Sequence, residues 1–120
     1  MGIKVNEHLG FAVALKSQVE LFVKYSDKPE EFGWPAGYKY LGKWSKETQK
    51  PQGSGICISS GGDIRIGYFN NGVPAPGTYI TFGNSGDTRV GDCYMKNGNR
   101  RVRGTEYKAN GTTMNYDNEF

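Results

Sequence analysis

Histidine and cysteine are scarce in this chain of 120 residues, which contains one histidine, His8, and two cysteines, Cys57 and Cys93. Two thiols cannot cross-link a disulfide-rich fold, and with no histidine near them they lack the pattern of a zinc site. Each cysteine lies within an apolar alternating run. We therefore expect two reduced, buried thiols, a solvated His8, and neither a metal nor another cofactor.

Long apolar runs and a signal-peptide core are also missing, which predicts neither a membrane span nor secretion. The formal net charge is only +3, too small to indicate a nucleic-acid-binding protein by itself. No phosphate-binding loop, dinucleotide fingerprint, zinc-protease motif or nucleophile elbow occurs. We expect a cytoplasmic protein that is not an enzyme and has no small-molecule substrate. Cytoskeletal or membrane association and an organelle stay open.

Glycine, in contrast, is abundant: it accounts for 18 residues, about twice the usual share of roughly 7%. Gly42, Gly67 and Gly91 recur at spacings of 25 and 24 residues, each within a short apolar stretch. Turn elements around Gly62, Gly86 and Gly111 recur in phase with them. A fixed period of this length indicates one supersecondary unit repeated along the chain.

The segments between the glycines alternate apolar and polar residues, as in Ile64–Tyr68, which is typical of half-buried strands. Three Asn-Gly pairs, at residues 71–72, 97–98 and 110–111, predict tight type I′ hairpin turns, because both central residues of that turn need a positive φ. The predicted fold is an all-β, curved meander of stacked hairpins spanning residues 38–116. Residues 117–120 are predicted to be a polar tail.

Residues 1–37 are predicted to form a capping segment and connector. Within them, residues 11–25 fit two interpretations. Val19, Leu21, Val23 and Tyr25 alternate as in a strand, whereas Phe11, Leu15 and Val19 also fit one face of a helix. The segment is apolar enough in either form to cover an open end of a repeat stack.

The stretch Tyr40-Leu41-Gly42-Lys43-Trp44, followed by Gly53 and Gly55 and by Gly67 and Gly91 in period, resembles the MORN (membrane occupation and recognition nexus) repeat family. The resemblance covers about three units from Tyr38 to Thr113, and the later units are degenerate. It implies hairpins that stack on one another, with glycines at the close approaches and aromatic rings filling the inside of the sheet. Longer polar sequence separates the two strands of the first unit, from Ser45 to Gln52.

Aromatic residues are the first candidates for contact with a protein partner, since tyrosine and tryptophan are enriched at interface centres. The candidates are Phe32, Trp34, Tyr40, Trp44 and Tyr68. Packing within the fold is the alternative for each. A short array with exposed end strands also favours a partner chain or self-association.

A basic segment from Arg89 to Lys108 contains the other candidates, Arg100, Arg101 and Arg103. Cationic side chains of this kind contact phosphates in anionic lipid head groups or nucleic acid. The alternative is a solvated hairpin face. The leading hypothesis from the sequence is thus a structural or adaptor subunit that acts through protein contacts. A phosphoinositide- or nucleic-acid-binding module is the second.

Overall fold

The computed structural model describes residues 21–120. They form one open sheet of eight antiparallel strands in sequence order, with each strand paired to the next. A single 3₁₀ turn, Pro29–Phe32, precedes β2. The strands are β1 (Leu21–Ser26), β2 (Lys39–Ser45), β3 (Lys50–Ile58), β4 (Ile64–Asn70), β5 (Val73–Phe82), β6 (Thr88–Lys96), β7 (Asn99–Tyr107) and β8 (Thr113–Glu119).

The predicted all-β meander of hairpins is confirmed, with corrections at its ends. Residues 21–25, which fitted either a strand or a helix, lie in β1 and pair with β2. Residues 11–20 and His8 lie outside the described residues. Residues 117–120 were predicted to be a polar tail, but residues 117–119 lie in β8, which runs to Glu119 and pairs with β7. The polar loop after Ser45 is shorter than predicted, since β3 begins at Lys50.

Two of the three Asn-Gly pairs form the predicted turn. Asn71 and Gly72 have φ values of 54° and 84°, and Asn97 and Gly98 have 53° and 80°. The third prediction is wrong: Gly111 has a φ of 92°, but its turn is closed by bonds from Lys108 N–H to Thr112 and from Gly111 N–H back to Lys108. That turn is therefore a longer loop of a kind that recurs elsewhere in the sheet.

These longer turns stack along one side of the sheet. Asp63 Oδ1 accepts a hydrogen bond of 2.9 Å from the backbone N–H of Asn84, one turn further on. Asp87 Oδ1 accepts the equivalent bond of 3.0 Å from Ala109. The 24- to 25-residue period of the sequence is therefore also a structural period. The positive-φ glycines at this position are Gly37, Gly62, Gly86 and Gly111.

The two faces of the sheet differ in composition. One, the aromatic face, carries the buried core of the described residues, including Tyr40, Trp44, Phe69 and Tyr79. The other, the aliphatic face, carries rows of side chains that remain partly exposed, among them Leu41 at 45% and Ile66 at 37% exposure. Successive side chains of a strand point to opposite faces, so the registers divide the sequence between these two surfaces.

Candidate functional site

A strap, residues 29–38, lies across the aromatic face over β2 to β4. It begins with the 3₁₀ turn, whose Pro29 and Phe32 are buried, and it reverses at Gly33, which has a φ of 83°. Phe32 packs edge-on against Trp44, with ring centroids 5.1 Å apart. Trp34 Nε1 donates a hydrogen bond of 2.6 Å to the carbonyl of Gly72 in the β4–β5 turn. A second long-range hydrogen bond, of 3.5 Å, runs from Arg65 Nη1 in β4 to the Tyr38 hydroxyl. The strap is thus attached to the sheet by its rings and by two long-range hydrogen bonds.

Rings of the strap and of the sheet beneath it form one cluster, with Trp34 of the strap at its centre. The Trp34 ring lies 5.7 Å from that of Tyr40 and 5.5 Å from that of Phe69, and the Tyr40 and Phe69 rings are 5.4 Å apart. The Trp34–Tyr40 and Tyr40–Phe69 pairs are edge-to-face, an arrangement that stabilises aromatic clusters beyond the effect of burial alone.

Four of the aromatic residues predicted to bind a partner belong to this cluster. Tyr40 is 0% and Trp44 1% exposed, so neither can contact a partner without rearrangement. Phe32 is buried as well, and Trp34 is partly buried against the cluster. All four residues thus pack within the fold, which was the alternative given for each. Tyr68 alone stays accessible, at 46% exposure, and its place after the buried Gly67 puts it on the aliphatic face.

Beyond the strap, the same face of the sheet is open. A groove of about 590 Å³ lies on this face over β4 to β8, next to the stacked turns. Pockets that bind ligands or peptide side chains commonly have volumes of about 300–1,000 Å³. The residues that line it and carry rings or charges are Asp63, Arg65, Tyr79, Asp87, Arg89, Glu106, Tyr116, Glu119 and Phe120.

The repeat explains why the covered and open halves differ. Arg65 and Arg89 occupy the places that Tyr40 holds in the first unit, 25 and 24 residues apart along the chain. Beyond Gly42 on the same face, the position of Trp44 in the first unit is held by Phe69 in the second and by Cys93 in the third. The side chains thus become more polar and smaller from one unit to the next, which leaves space where the first unit has rings.

The charged groups of the groove are largely paired. Arg65 Nη2 lies 3.6 Å from Asp63 Oδ2, and Arg89 Nε lies 3.6 Å from Glu106 Oε1. Glu106, only 8% exposed, also has Lys108 Nζ at 3.5 Å. The Arg89 guanidinium lies over the Tyr116 ring at 4.8 Å. Rings and ion pairs therefore form this surface, and its lining holds four carboxylates, Asp63, Asp87, Glu106 and Glu119, against two arginines.

Both cysteines are free and buried, as predicted. Burial raises the pKa of the Cys57 thiol to about 11 and also raises that of Cys93. Since the thiolate is the reactive form of cysteine, both groups are poor nucleophiles at neutral pH. Burial likewise raises the pKa values of Tyr40 and Tyr79 well above their usual range.

The predicted basic segment is divided between the two faces. Arg100 lies on the aromatic face, where its Nε donates a 2.8 Å hydrogen bond to the carbonyl of Pro74. Arg101 and Arg103 point to the aliphatic face. Arg101 Nε donates to Asp117 Oδ1 at 3.0 Å, and Arg103 Nε lies 3.4 Å from Asp92 Oδ1.

These pairings reduce the free positive charge of the segment. Tyr94 donates a 2.7 Å hydrogen bond to Asp117 and, together with Arg101, lowers the pKa of that carboxyl. Asp117 belongs to β8, although the sequence predicted a polar tail for residues 117–120. The local excess of cations is therefore partly neutralised by a strand outside the segment. The structure does not bring the three arginines together on one surface.

Sequence reasoning missed Tyr116 and Phe120 as groove residues. Phe120 contacts Tyr79, with ring centroids 5.2 Å apart, and its N–H donates to the carbonyl of Arg100 at 3.1 Å. The alternation of Met114 and Tyr116 with polar residues was the available signal for a last strand. It was weak, because most of β8 is exposed and polar.

Among residues 21–120, no group of three or more His, Cys, Asp or Glu side chains is placed to hold a metal ion. Nor does this part of the chain contain a helix long and apolar enough to cross a membrane. Comparison of the chain with protein-family models, with curated proteins and with solved structures found no match.

Proposed function

We propose that this protein is a non-enzymatic, MORN-like structural or adaptor subunit that holds a segment of a protein partner in the groove of its aromatic face. One observation carries the proposal. The first half of that face is filled by a segment of the chain itself, and the second half, built on the same repeat, is open.

The strap shows what kind of segment the face accommodates. It presents two rings to the sheet, Phe32 and Trp34, and one side-chain donor to a turn carbonyl. The open groove offers rings of its own at Tyr79, Tyr116 and Phe120. A short partner segment with one or two large apolar side chains matches this surface, since aromatic contacts dominate many interface centres.

Within residues 21–120, the state of two thiols and two groove carboxylates favours a binding role over a catalytic one. The thiols of Cys57 and Cys93 are held protonated by burial, and the carboxylates of Asp63 and Glu106 are engaged with cations. A general base or nucleophile needs a pKa near the working pH and a substrate within reach.

Affinity purification followed by mass spectrometry tests the proposal with three forms of the tagged full-length chain. The first is native, the second carries Tyr116→Ala and Phe120→Ala in the groove, and the third carries Tyr107→Ala. Tyr107 is a matched aromatic residue on the aliphatic face, 49% exposed. We expect a partner that the native and Tyr107→Ala forms retain and the groove variant loses by about tenfold or more, as for a central contact.

The proposal fails if no protein distinguishes the groove variant from the native chain while both fold equally well. Binding to anionic liposomes and to RNA over a salt series tests the phosphate-binding alternative. Because the arginines are paired and divided between faces, we expect weak binding with a shallow salt dependence. Tight, salt-steep binding that is abolished by changing Arg100, Arg101 and Arg103 to Glu would instead favour that alternative.

A further inference from the structure

The aliphatic face presents two adjacent cross-strand rows of apolar side chains. In the first, Leu41 pairs with Ile56, Ile56 with Ile66, Ile66 with Ile80, and Ile80 with Val90. In the second, Ile58 pairs with Ile64, and Ile64 with Phe82. Of the 14 large apolar residues that are exposed in the described chain, eleven lie on this face: Leu21, Val23, Tyr25, Leu41, Ile64, Ile66, Tyr68, Val73, Phe82, Val90 and Tyr107.

From these rows we infer that the chain forms a two-fold symmetric dimer in which the aliphatic faces of two copies pack against each other. A third, partly charged row on the same face begins with Val23 and Lys43 and ends with Asp92 and Arg103. Across seven strands about 4.8 Å apart, the three rows, about 6.8 Å apart, give a flat area on the order of 700 Å², of which the two apolar rows over β2 to β6 supply about 330 Å². Each partner contributes roughly 800 Å² to an interface of standard size. The face is therefore large enough for a specific contact between two sheets.

The distribution of charge on this face favours a second copy as the occupant. Between β3 and β6, neither row contains a charged residue: the first holds Ile56, Ile66, Ile80 and Val90, and the second holds Ile58, Ile64, Phe82 and Thr88. A neutral face of branched side chains requires a neutral partner face of similar width, and a second copy supplies one.

The charges that flank the rows fit a two-fold axis parallel to β4. Such an axis places Ile66 opposite Ile66 of the second copy and β2 opposite β6. It then sets Lys43, one residue beyond Gly42, opposite Asp92, one residue beyond Gly91. Symmetry repeats the contact, so two Lys43–Asp92 ion pairs between the copies flank the apolar centre, one on each side.

The Lys43–Asp92 contact between the copies can still form when the two sheets cross at the angle usual for packed sheets. Aligned sheets cross at about 30°, and β2 and β6 lie two strand spacings, about 10 Å, from the axis. The resulting displacement at Lys43 is about 5 Å, within the reach of a lysine side chain. The Asp92 side chain is 42% exposed, and its ion pair with Arg103 within the chain also lies at the surface.

Sedimentation equilibrium of the native chain over a concentration series provides the first test, with circular dichroism and melting curves as the check on folding. We expect a concentration-dependent dimer. Ile66→Lys places two like charges face to face on the axis and should weaken the dimer by about 100-fold or more. Met114→Lys, a matched change at a residue 49% exposed on the aromatic face, should leave it unchanged.

Charge reversal at the flanking pair provides a second test, with circular dichroism of each variant as the check on folding, because Asp92 is also paired with Arg103 within the chain. Lys43→Asp and Asp92→Lys should each weaken the dimer, and the two changes combined should restore it. A native chain that stays monomeric at every concentration overturns the inference. So does a dimer that survives Ile66→Lys, or a combined variant that associates no better than the single variants. Loss of the groove partner without loss of the dimer would concern only the proposed function.

Discussion

The two faces of one sheet carry similar amounts of apolar side chain but differ in what covers them. On the aromatic face, Tyr40 and Trp44 are almost completely buried under the strap. On the aliphatic face, Leu41, between those two residues in the same strand, is 45% exposed. Burial in this protein thus depends on a segment outside the sheet. An antiparallel sheet can leave one face to solvent, and the dimer that we infer would cover that face.

The largest difference between the faces should appear on removal of a buried ring. Trp44→Ala deletes a side chain that contacts Phe32 and Tyr40 and should cost about 3–5 kcal/mol of unfolding free energy. Val23→Ala on the aliphatic face, at a residue 69% exposed, should cost less than about 0.5 kcal/mol. Urea denaturation of the two variants measures both values. Equal costs would show that the two faces are equally important for stability.

A smaller effect should follow from adding a methyl group to the aromatic face. A Cβ on Gly55 would collide with the Tyr40 ring, and overpacking of this kind costs about 1–3 kcal/mol. Gly61→Ala is the matched control, since its Cβ would meet only Ser59 Oγ at 3.9 Å. Thermal melting compares them. A Gly55→Ala variant as stable as Gly61→Ala would contradict the close contact between the ring and the backbone.

Alkaline pH should reveal the buried titratable groups of the aromatic face. Burial raises the pKa of Cys57 to about 11, whereas an unfolded thiol has a pKa of about 8.5. The unfolded state therefore ionises first. Stability is complete below about pH 8.5 and is lost as the pH rises toward 11, by about 3 kcal/mol.

Urea midpoints between pH 8 and pH 11 measure this loss. Cys57→Ala should make the decline shallower, because the buried thiol is gone, while Val23→Ala should keep the native slope. The buried hydroxyls of Tyr40 and Tyr79 have raised pKa values for the same reason, so some decline should remain. A slope unaffected by Cys57→Ala would mean that the thiol does not stay protonated in the folded state.

The smallest effect concerns the attachment of the strap. Trp34→Phe keeps an aromatic ring but removes the donor to the Gly72 carbonyl, and loss of one such hydrogen bond costs about 1 kcal/mol. Tyr107→Phe, which removes an exposed hydroxyl on the other face, is the control. Chemical denaturation distinguishes the two variants. If they unfold at the same urea concentration, the hydrogen bond from Trp34 to Gly72 does not help to hold the strap in place.

The sequence predicted the sheet well and the site poorly. The turns at Asn71-Gly72 and Asn97-Gly98 were predictable because a positive φ at consecutive residues is a local requirement. The roles of Tyr40 and Trp44 were not predicted with certainty, because a ring on a strand serves equally in a core or at an interface. The groove was missed, since it depends on β8, whose polar sequence carries little signal, and on Phe120 folding back to Tyr79.

The sequence by itself determined where the chain turns, because Asn-Gly pairs and apolar–polar alternation act over a few residues. It also determined that the units repeat, because the glycine period can be counted directly along the chain. Only the tertiary structure decided which face is covered, where the groove lies and how the arginines are paired. Alternation assigns neighbouring residues to opposite faces but does not say which face a distant segment will bury. That choice depends on contacts such as Trp34 with Gly72 and Arg101 with Asp117, between residues 38 and 16 positions apart.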